Sequence, residues 1–421
     1  MKRDSCFWRQ SNSYNKLLYI NKLLTTIATI LEPRITPIKM IHLTPSSQDL
    51  PFPASRMEVE TLRDDEGYQL ASRFNALLIG TACGDALGLP TEGLTRQRNH
   101  RFTRGNWRHR LLPGHGMISD DTEHMVFVAQ SLLRHPDSPI RFARRLGWCL
   151  RGWLLFLPAG IGFATLRAIL KLWMGFSPNC SGVFSAGNGP AMRVAIIGAF
   201  FAHNPEQRAA YVAASTCLTH TDPKALIGAT AIAELAAWTV RDRLTQRPSL
   251  ERFISLLDRC GPHDRDWLSA VATIARAGRD DWTVAELADR LGLAKGVTGY
   301  MYHTIPVVVY AWFRHFGDFR KTLTEVLDCG GDTDTTGAIV GALAGIVVGE
   351  AGIPADWRAG VIDWPRSLSL LRTLAQRLAV AATTGQSLAP VRYFWPAIPI
   401  RNLLFLIIIL GHGFRRLLPP Y

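Results

Sequence analysis

Two short acidic stretches, far apart in the chain, hold the residues best suited to chemistry: Ser119-Asp120-Asp121-Thr122 and Gly330-Gly331-Asp332-Thr333-Asp334-Thr335. Each opens an apolar run. Asp332 and Asp334 are two apart, so on a regular helix they would point about 200° from one another. They converge only from a loop that leads into the helix, and Gly330 and Gly331 make such a loop easy. Glu92 stands just past a further helix end, marked by Leu89-Pro90. Taken singly, either head reads as ordinary capping, since Ser, Thr and Asp satisfy N-terminal amides and early acids favour the helix dipole. Taken together, Glu92, Asp120, Asp121, Asp332 and Asp334 supply five carboxylates, and Ser119 and Thr335 supply two hydroxyls. Were these to meet, each pair about 4 Å apart would repel by about 4 kcal/mol at an effective dielectric of ~20. The carboxylates would then take up protons or bind cations. A donor set of oxygens alone selects hard ions, magnesium or manganese rather than zinc, and two such divalent cations nearly balance the charge.

The elements that must position these groups are helical. From Ala338 to Gly349 the chain carries no charge, as in a helix buried on all sides. Gly337, Gly341, Gly345 and Gly349 recur every fourth residue, each costing about 1 kcal/mol against alanine. Close approach of another backbone would offset that cost. The stretch Phe74–Gly88 repeats the pattern with Gly80, Gly84 and Gly88, and is the expected partner, stripe to stripe. Asp85 within it reads as a structural, hydrogen-bonding acid. Arg96 to Arg110 reads as an arginine-rich loop, and Met125, Val128, Ala129 and Leu132 keep helical spacing after the first acidic head. Gly187-Asn188-Gly189-Pro190-Ala191-Met192-Arg193 leads into apolar Val194–Phe201. With Pro190 at the first helical position, this is either a phosphate seat at a helix start or a plain turn. Asp222 caps the helix that carries Ala225–Val240, and His220 just before it reads by default as a hydrogen-bonding structural residue. Shorter helices are expected at Thr165–Met174, Val284–Leu293 and Val307–Phe316, and a last one from beyond Trp364 to Ala382. No stretch sustains apolar–polar alternation, so the fold class is all-α.

With 421 residues and 48% apolar content the chain can bury a large core. Its seven scattered cysteines contain no Cys-x-x-Cys pair, which argues against a disulfide framework or a zinc site and for a reducing, cytoplasmic setting. The formal charge of +13 suits an anionic substrate such as a pyrophosphate, or an acidic partner surface. Without a dense Lys/Arg run, nucleic-acid binding is the weaker reading. Three regions are expected: a poorly ordered extension over residues 1–65, a catalytic domain over 66–385, and a linker with an apolar tail helix over 386–421. The run Leu403–Leu410 falls short of the ~20 residues of a spanning helix. It reads as a docked helix, with membrane-surface contact as the alternative.

The motifs also occur in a telling order. Gly80-x-x-x-Gly84-Asp85-Ala86-Leu87-Gly88-x-Pro90-x-Glu92, Ser119-Asp120-Asp121-Thr122, the Gly187–Arg193 loop and Gly331-Asp332-Thr333-Asp334-Thr335 together resemble the signature of the ADP-ribosylglycohydrolase family, over about residues 70 to 380. The resemblance implies a single-domain, all-helical orthogonal bundle and a two-metal centre that cleaves ADP-ribose from a modified group. It implies Ser119, Asp120, Asp121, Asp332, Asp334 and Thr335 as ligands of two divalent cations, Mg2+ or Mn2+. Glu92, or a ligand aspartate such as Asp121, would activate water. Asn188, Gly189, Met192, Arg193 and His220 would lie near the substrate, an ADP-ribosylated protein or a small ADP-ribosyl conjugate. Two other activities remain open on such a fold: phosphate-ester or nucleotide hydrolysis, and non-catalytic binding of the kind found in crystallin-like relatives.

Overall fold

The computed structural model describes residues 65–415. The expected N-terminal extension and the last six residues of the tail lie outside the described residues. Among the described residues there are 18 α-helices and no β-strand. They are α1 Asp65–Gly88, α2 Arg96–Thr103, α3 Asp120–Arg134, α4 Pro139–Leu155, α5 Phe163–Trp173, α6 Pro178–Ser181, α7 Ala195–Phe200, α8 Pro205–Cys217 and α9 Pro223–Arg241. The remainder are α10 Leu250–Cys260, α11 Arg265–Arg279, α12 Val284–Arg290, α13 Met301–Arg314, α14 Phe319–Asp328, α15 Thr333–Gly352, α16 Ala355–Gly360, α17 Leu368–Thr384 and α18 Ile398–Arg415.

The centre of the molecule is the pair α1 and α15, packed along their glycines as the sequence predicts, except at Gly349, where a Cβ would meet nothing within 4 Å. A Cβ added to Gly80, Gly84 or Gly88 would overlap the carbonyl oxygen of Gly341, Gly337 or Thr333, and one on Gly345 would overlap that of Ala76. Backbone therefore lies on backbone along the whole seam. Both acidic heads depend on it: α15 begins with the second head, and the far end of α1 carries Asp85 and leads to Glu92. The regular part of α15 ends at Gly349, whose φ of +69° is non-helical. Around the pair, α17 packs along α1, while α9, α13 and α14 pack against α15.

Several local expectations need correction. Half of the arginine-rich loop is helix α2, begun by Thr95, whose hydroxyl accepts from Arg98 N. Only Asn99 and Thr103 of this helix are buried, so no apolar period announces it. Helix α13 starts at Met301, before Pro306, because tertiary packing holds its first turns despite the proline. Pro190 precedes a 3-10 turn, Ala191–Arg193, rather than opening a helix. The segment after α17 is not a free linker. Leu388 N donates to Leu133 O, and Gln130 bonds Val391 through both its amide groups. The tail is also longer than expected: with its preceding turn it runs 21 residues, Trp395–Arg415, at mean hydropathy 1.8, which by length and composition is enough to cross a membrane. Buried α15 passes the same test.

Candidate active site

The first acidic head opens α3. Ser119 is the N-cap, and its hydroxyl accepts from Asp121 N at 3.2 Å. Asp85, reaching over from α1, completes the cap: its carboxylate accepts from Ser119 N at 2.9 Å, Thr122 N at 3.2 Å and the Thr122 hydroxyl. Burial pushes the Asp85 carboxyl up to about 6 against the pull of those bonds. Asp85 is thus the structural acid that the sequence indicates. Because Ser119 and Asp85 satisfy the first turn, Asp120 and Asp121 are not consumed in capping.

The second head is held by its loop. Gly330 and Gly331 adopt φ of +70° and +85°, and a Cβ on Gly331 would overlap Val297 O. Leu94 and Val297 grip this loop from either side: Gly331 N donates to Leu94 O at 2.8 Å and Asp332 N to Val297 O at 2.8 Å. Asp332 occupies the N-cap of α15 but makes no side-chain capping bond. Its Oδ2 accepts instead from Asn188 Nδ2 at 2.7 Å, and that amide also donates to Thr304 Oγ1 at 2.9 Å.

The two heads meet. Thr335 Oγ1 of the second donates to Asp121 Oδ2 of the first at 3.2 Å, and Ser119 Oγ donates to the same oxygen at 3.2 Å. Asp121 Oδ1 and Asp334 Oδ1 are buried without a hydrogen-bond partner. Burial, and then the negative charge of neighbours, raises three carboxyls well above the usual range. For Asp120 the neighbours are Asp85, Glu123 and Glu92; for Asp121 they are Asp120, Asp85 and Asp332; for Asp334 they are Glu92, Asp332, Asp121 and Asp85. The repulsion argued from composition is therefore present. Among the described residues no three Asp, Glu, His or Cys side chains close into a metal cage. Asp120, Asp332 and Asp334 instead border an open cavity. Two orphaned, buried carboxylate oxygens within an all-oxygen donor set fit hard divalent cations.

That cavity has a volume of ≈ 780 Å³, within the range of small-molecule sites, about 300–1,000 Å³. Glu92, Ser119, Asp120, Asp332, Asp334 and Thr335 border it together with Asn188, Gly189, Met192 and His220. Asp121 does not reach the surface of the cavity. Arg193 also stands elsewhere than its motif implies: it is fully buried behind His220, its guanidinium bonded to Ser215 Oγ, Ser215 O and Thr219 Oγ1. Thr219 Oγ1, having accepted from Arg193, faces His220 Nδ1 at 2.8 Å. A hydroxyl that accepts there can donate its own proton to Nδ1, which leaves the N–H on Nε2. Burial and the Arg193 charge hold the His220 imidazole down to about 3, so it is neutral.

Sequence reasoning missed one wall. Phe405 and Ile409 of α18 also border the cavity. They lie four apart, on the side of α18 that is pinned to the body. Arg401 Nη2 bonds Ile118 O and Asp363 Oδ2, each at 2.5 Å, and Asn402 Nδ2 donates to Phe156 O at 2.7 Å. The adjacent arginine and asparagine, Arg401 and Asn402, before the apolar run Leu403–Leu410 were the available signal.

Comparison with known proteins now bears on the site. The family model described as ADP-ribosylglycohydrolase matches residues 66–387. The chain belongs to the ADP-ribosylglycohydrolase family. Among its relatives, an uncharacterized protein of Archaeoglobus fulgidus is 33% identical, over 70% of this chain and 93% of its own. The ADP-ribosyl-[dinitrogen reductase] glycohydrolase of Rhodospirillum rubrum is 27% identical, over 69% of this chain and 90% of its own. ADP-ribosylhydrolase ARH3 of Gallus gallus is 25% identical, over 68% and 88% respectively. Among solved structures, an ADP-ribosylglycohydrolase-related protein complex superposes with a TM-score of 0.55 at 25% identity, covering 75% of this chain and 99% of that one. Membership in the ADP-ribosylglycohydrolase family makes the chain a hydrolase at family level, and the all-α architecture agrees. Helix α18 lies beyond the matched residues, so the Phe405 wall is an addition to the ADP-ribosylglycohydrolase core.

Proposed function

We propose that the chain hydrolyses the glycosidic bond joining ADP-ribose to a modified protein side chain or a related small conjugate, in a reaction dependent on two divalent cations, Mg2+ or Mn2+. The observation that carries this reading is the junction of the two acidic heads, with Asp121 Oδ1 and Asp334 Oδ1 buried and unpartnered and Asp334 bordering the cavity. Ser119, Asp120, Asp121, Asp332, Asp334 and Thr335 would hold the cations. When bound, these ions supply orientation of ribose hydroxyls and a lowered pKa for water. The printed activities of the Rhodospirillum rubrum and Gallus gallus relatives support ADP-ribose as the group removed.

The residues divide the remaining work. Glu92, exposed at the cavity rim, accepts the proton of the attacking water. Asn188 fixes the Asp332 carboxylate, and neutral His220 presents Nε2–H as a donor to an anionic or hydroxylated substrate. Cleavage of the anomeric bond develops oxocarbenium character, which carboxylates around the sugar stabilise. Met192, Phe405 and Ile409 give the cavity apolar walls against which the substrate would pack.

The test is incubation with ADP-ribosylated acceptors, with excess EDTA and with the Asp334→Ala variant. Free ADP-ribose released only by cation-loaded wild type supports the proposal. Full turnover in EDTA or in Asp334→Ala would remove it, and release of AMP would replace it with phosphate-ester hydrolysis.

A further inference from the structure

The outward side of α18 is the least expected surface of the molecule. Leu403, Ile407, Leu410 and Phe414 follow one another at helical spacing, and all are more than half exposed. Ile400 and Leu404 widen the stripe. Nothing charged interrupts it before Arg415. At the other end of the helix Trp364, Phe394 and Trp395 are likewise more than half exposed. A soluble surface scatters such side chains singly; a continuous band marks a place of contact.

What it contacts is indicated by charge. Helix α18 ends against a cleft of ≈ 400 Å³ to which Arg101, Arg104, Arg108 and Arg415 contribute, all exposed, and no acidic side chain borders it among the described residues. The row Leu404, Ile408, Gly411 and Arg415 runs along α18 toward this cleft, beside the apolar row Leu403, Ile407, Leu410 and Phe414. A flat apolar band that ends in an arginine cleft and begins in tryptophan side chains matches an anionic lipid surface. Acyl chains meet the band, phosphates meet the guanidiniums, and the indoles sit at the headgroup level. A second copy of the chain fits less well, since an antiparallel pairing of the bands sets each arginine cleft against the partner's tryptophan end and supplies no anion for it. A nucleic acid would leave the apolar band without a partner. The helix cannot leave the body cheaply to span the bilayer, because Arg401 and Asn402 on its inner side are buried and bonded to Asp363, Ile118 and Phe156.

We infer that α18 and the Arg101–Arg108 cleft form a docking surface for anionic phospholipid membranes, on which the protein lies with α18 parallel to the bilayer. Because Phe405 and Ile409 of the same helix border the catalytic cavity, docking places that cavity close to the lipid surface. This inference is independent of the bond the cavity cleaves.

The experiment is co-sedimentation of the full chain with phosphatidylcholine vesicles, with and without phosphatidylglycerol, at two salt concentrations. Binding is expected only to the phosphatidylglycerol vesicles and should weaken in high salt. Ile407→Asp should abolish it. The double variant Arg101→Glu, Arg104→Glu should lower the partition coefficient about thirtyfold or more, from roughly fivefold for each arginine near an anionic surface. All these side chains are exposed, so far-UV circular dichroism and melting temperature should stay at wild-type values. Equal binding to both vesicle types, or binding unchanged in either variant, would overturn the inference. So would a wild-type dimer that ignores vesicles and becomes monomeric in Ile407→Asp, or binding of an oligonucleotide in place of vesicles.

Discussion

The same chemical change, glycine to alanine inside a helix, should have opposite signs at two places in this protein. Gly152 lies in α4, and a Cβ there meets nothing within 4 Å. Gly152→Ala should therefore stabilise the fold by about 1 kcal/mol, the ordinary difference in helix propensity. Gly341 and Gly337 offer the same gain, but their Cβ atoms would press into backbone. At Gly337 the new atom would sit 2.5 Å from Gly84 O, where ordinary contact begins at 3.4 Å. A carbonyl in a buried helix cannot rotate aside, so α1 and α15 must part by about 1 Å. Overpacking of this kind costs about 1–3 kcal/mol, and a gap of that size forfeits roughly a quarter to a half of the dispersion energy at the neighbouring contacts. Set against the propensity gain of about 1 kcal/mol, the net loss for Gly341→Ala or Gly337→Ala is about 1 kcal/mol and at most about 2. Urea unfolding followed by far-UV circular dichroism measures it as a lower midpoint at unchanged slope. If Gly341→Ala raises the midpoint as Gly152→Ala does, the account of the seam is wrong.

The site supports further predictions. Gly88→Ala places its Cβ against Thr333 O and 2.7 Å from Asp334 N, whereas Gly345→Ala presses on Ala76 at the far end; both should lose stability, but only Gly88→Ala should lose turnover beyond what its folded fraction explains. In EDTA, Asp334→Asn should melt a few degrees above wild type, since removing an unpartnered, repelled buried acid relieves about 1–3 kcal/mol; added Mn2+ should then raise the melting temperature of wild type only. Asp85→Ala strands the Ser119 and Thr122 amides and should cost about 2–5 kcal/mol in chemical denaturation. His220 is held down to about 3, below its unfolded value of 6.5, so its contribution is complete above pH 6.5 and is lost as pH falls toward 3. Between pH 7 and pH 5 the melting temperature of wild type should therefore fall relative to that of His220→Gln, and parallel curves would refute the buried neutral imidazole.

The sequence alone carried the all-α class, because a 3.6-residue period persists wherever apolar residues cluster and alternation never does. It carried the glycine seam as well, since a glycine every fourth residue in two largely apolar runs has little other physical use. The acidic heads were legible as residue types, but capping explained each equally well. Only tertiary structure decided between the readings, by bringing Asp85 from α1 to do the capping and by leaving Asp332 to Asn188. Helix α2 and the early start of α13 were hidden because one lacks an apolar face and the other contains a proline. Arg193 looked like a substrate contact because a motif records order and spacing, not which way a side chain turns; in the fold it points back to Ser215 and Thr219. The tail shows the same limit most fully. Its composition announces an apolar helix, but the bonds of Arg401 to Asp363 and Ile118, of Asn402 to Phe156 and of His412 to Leu111 fix which side faces the cavity and which faces outward, because an apolar helix has no preferred face until something polar is buried with it.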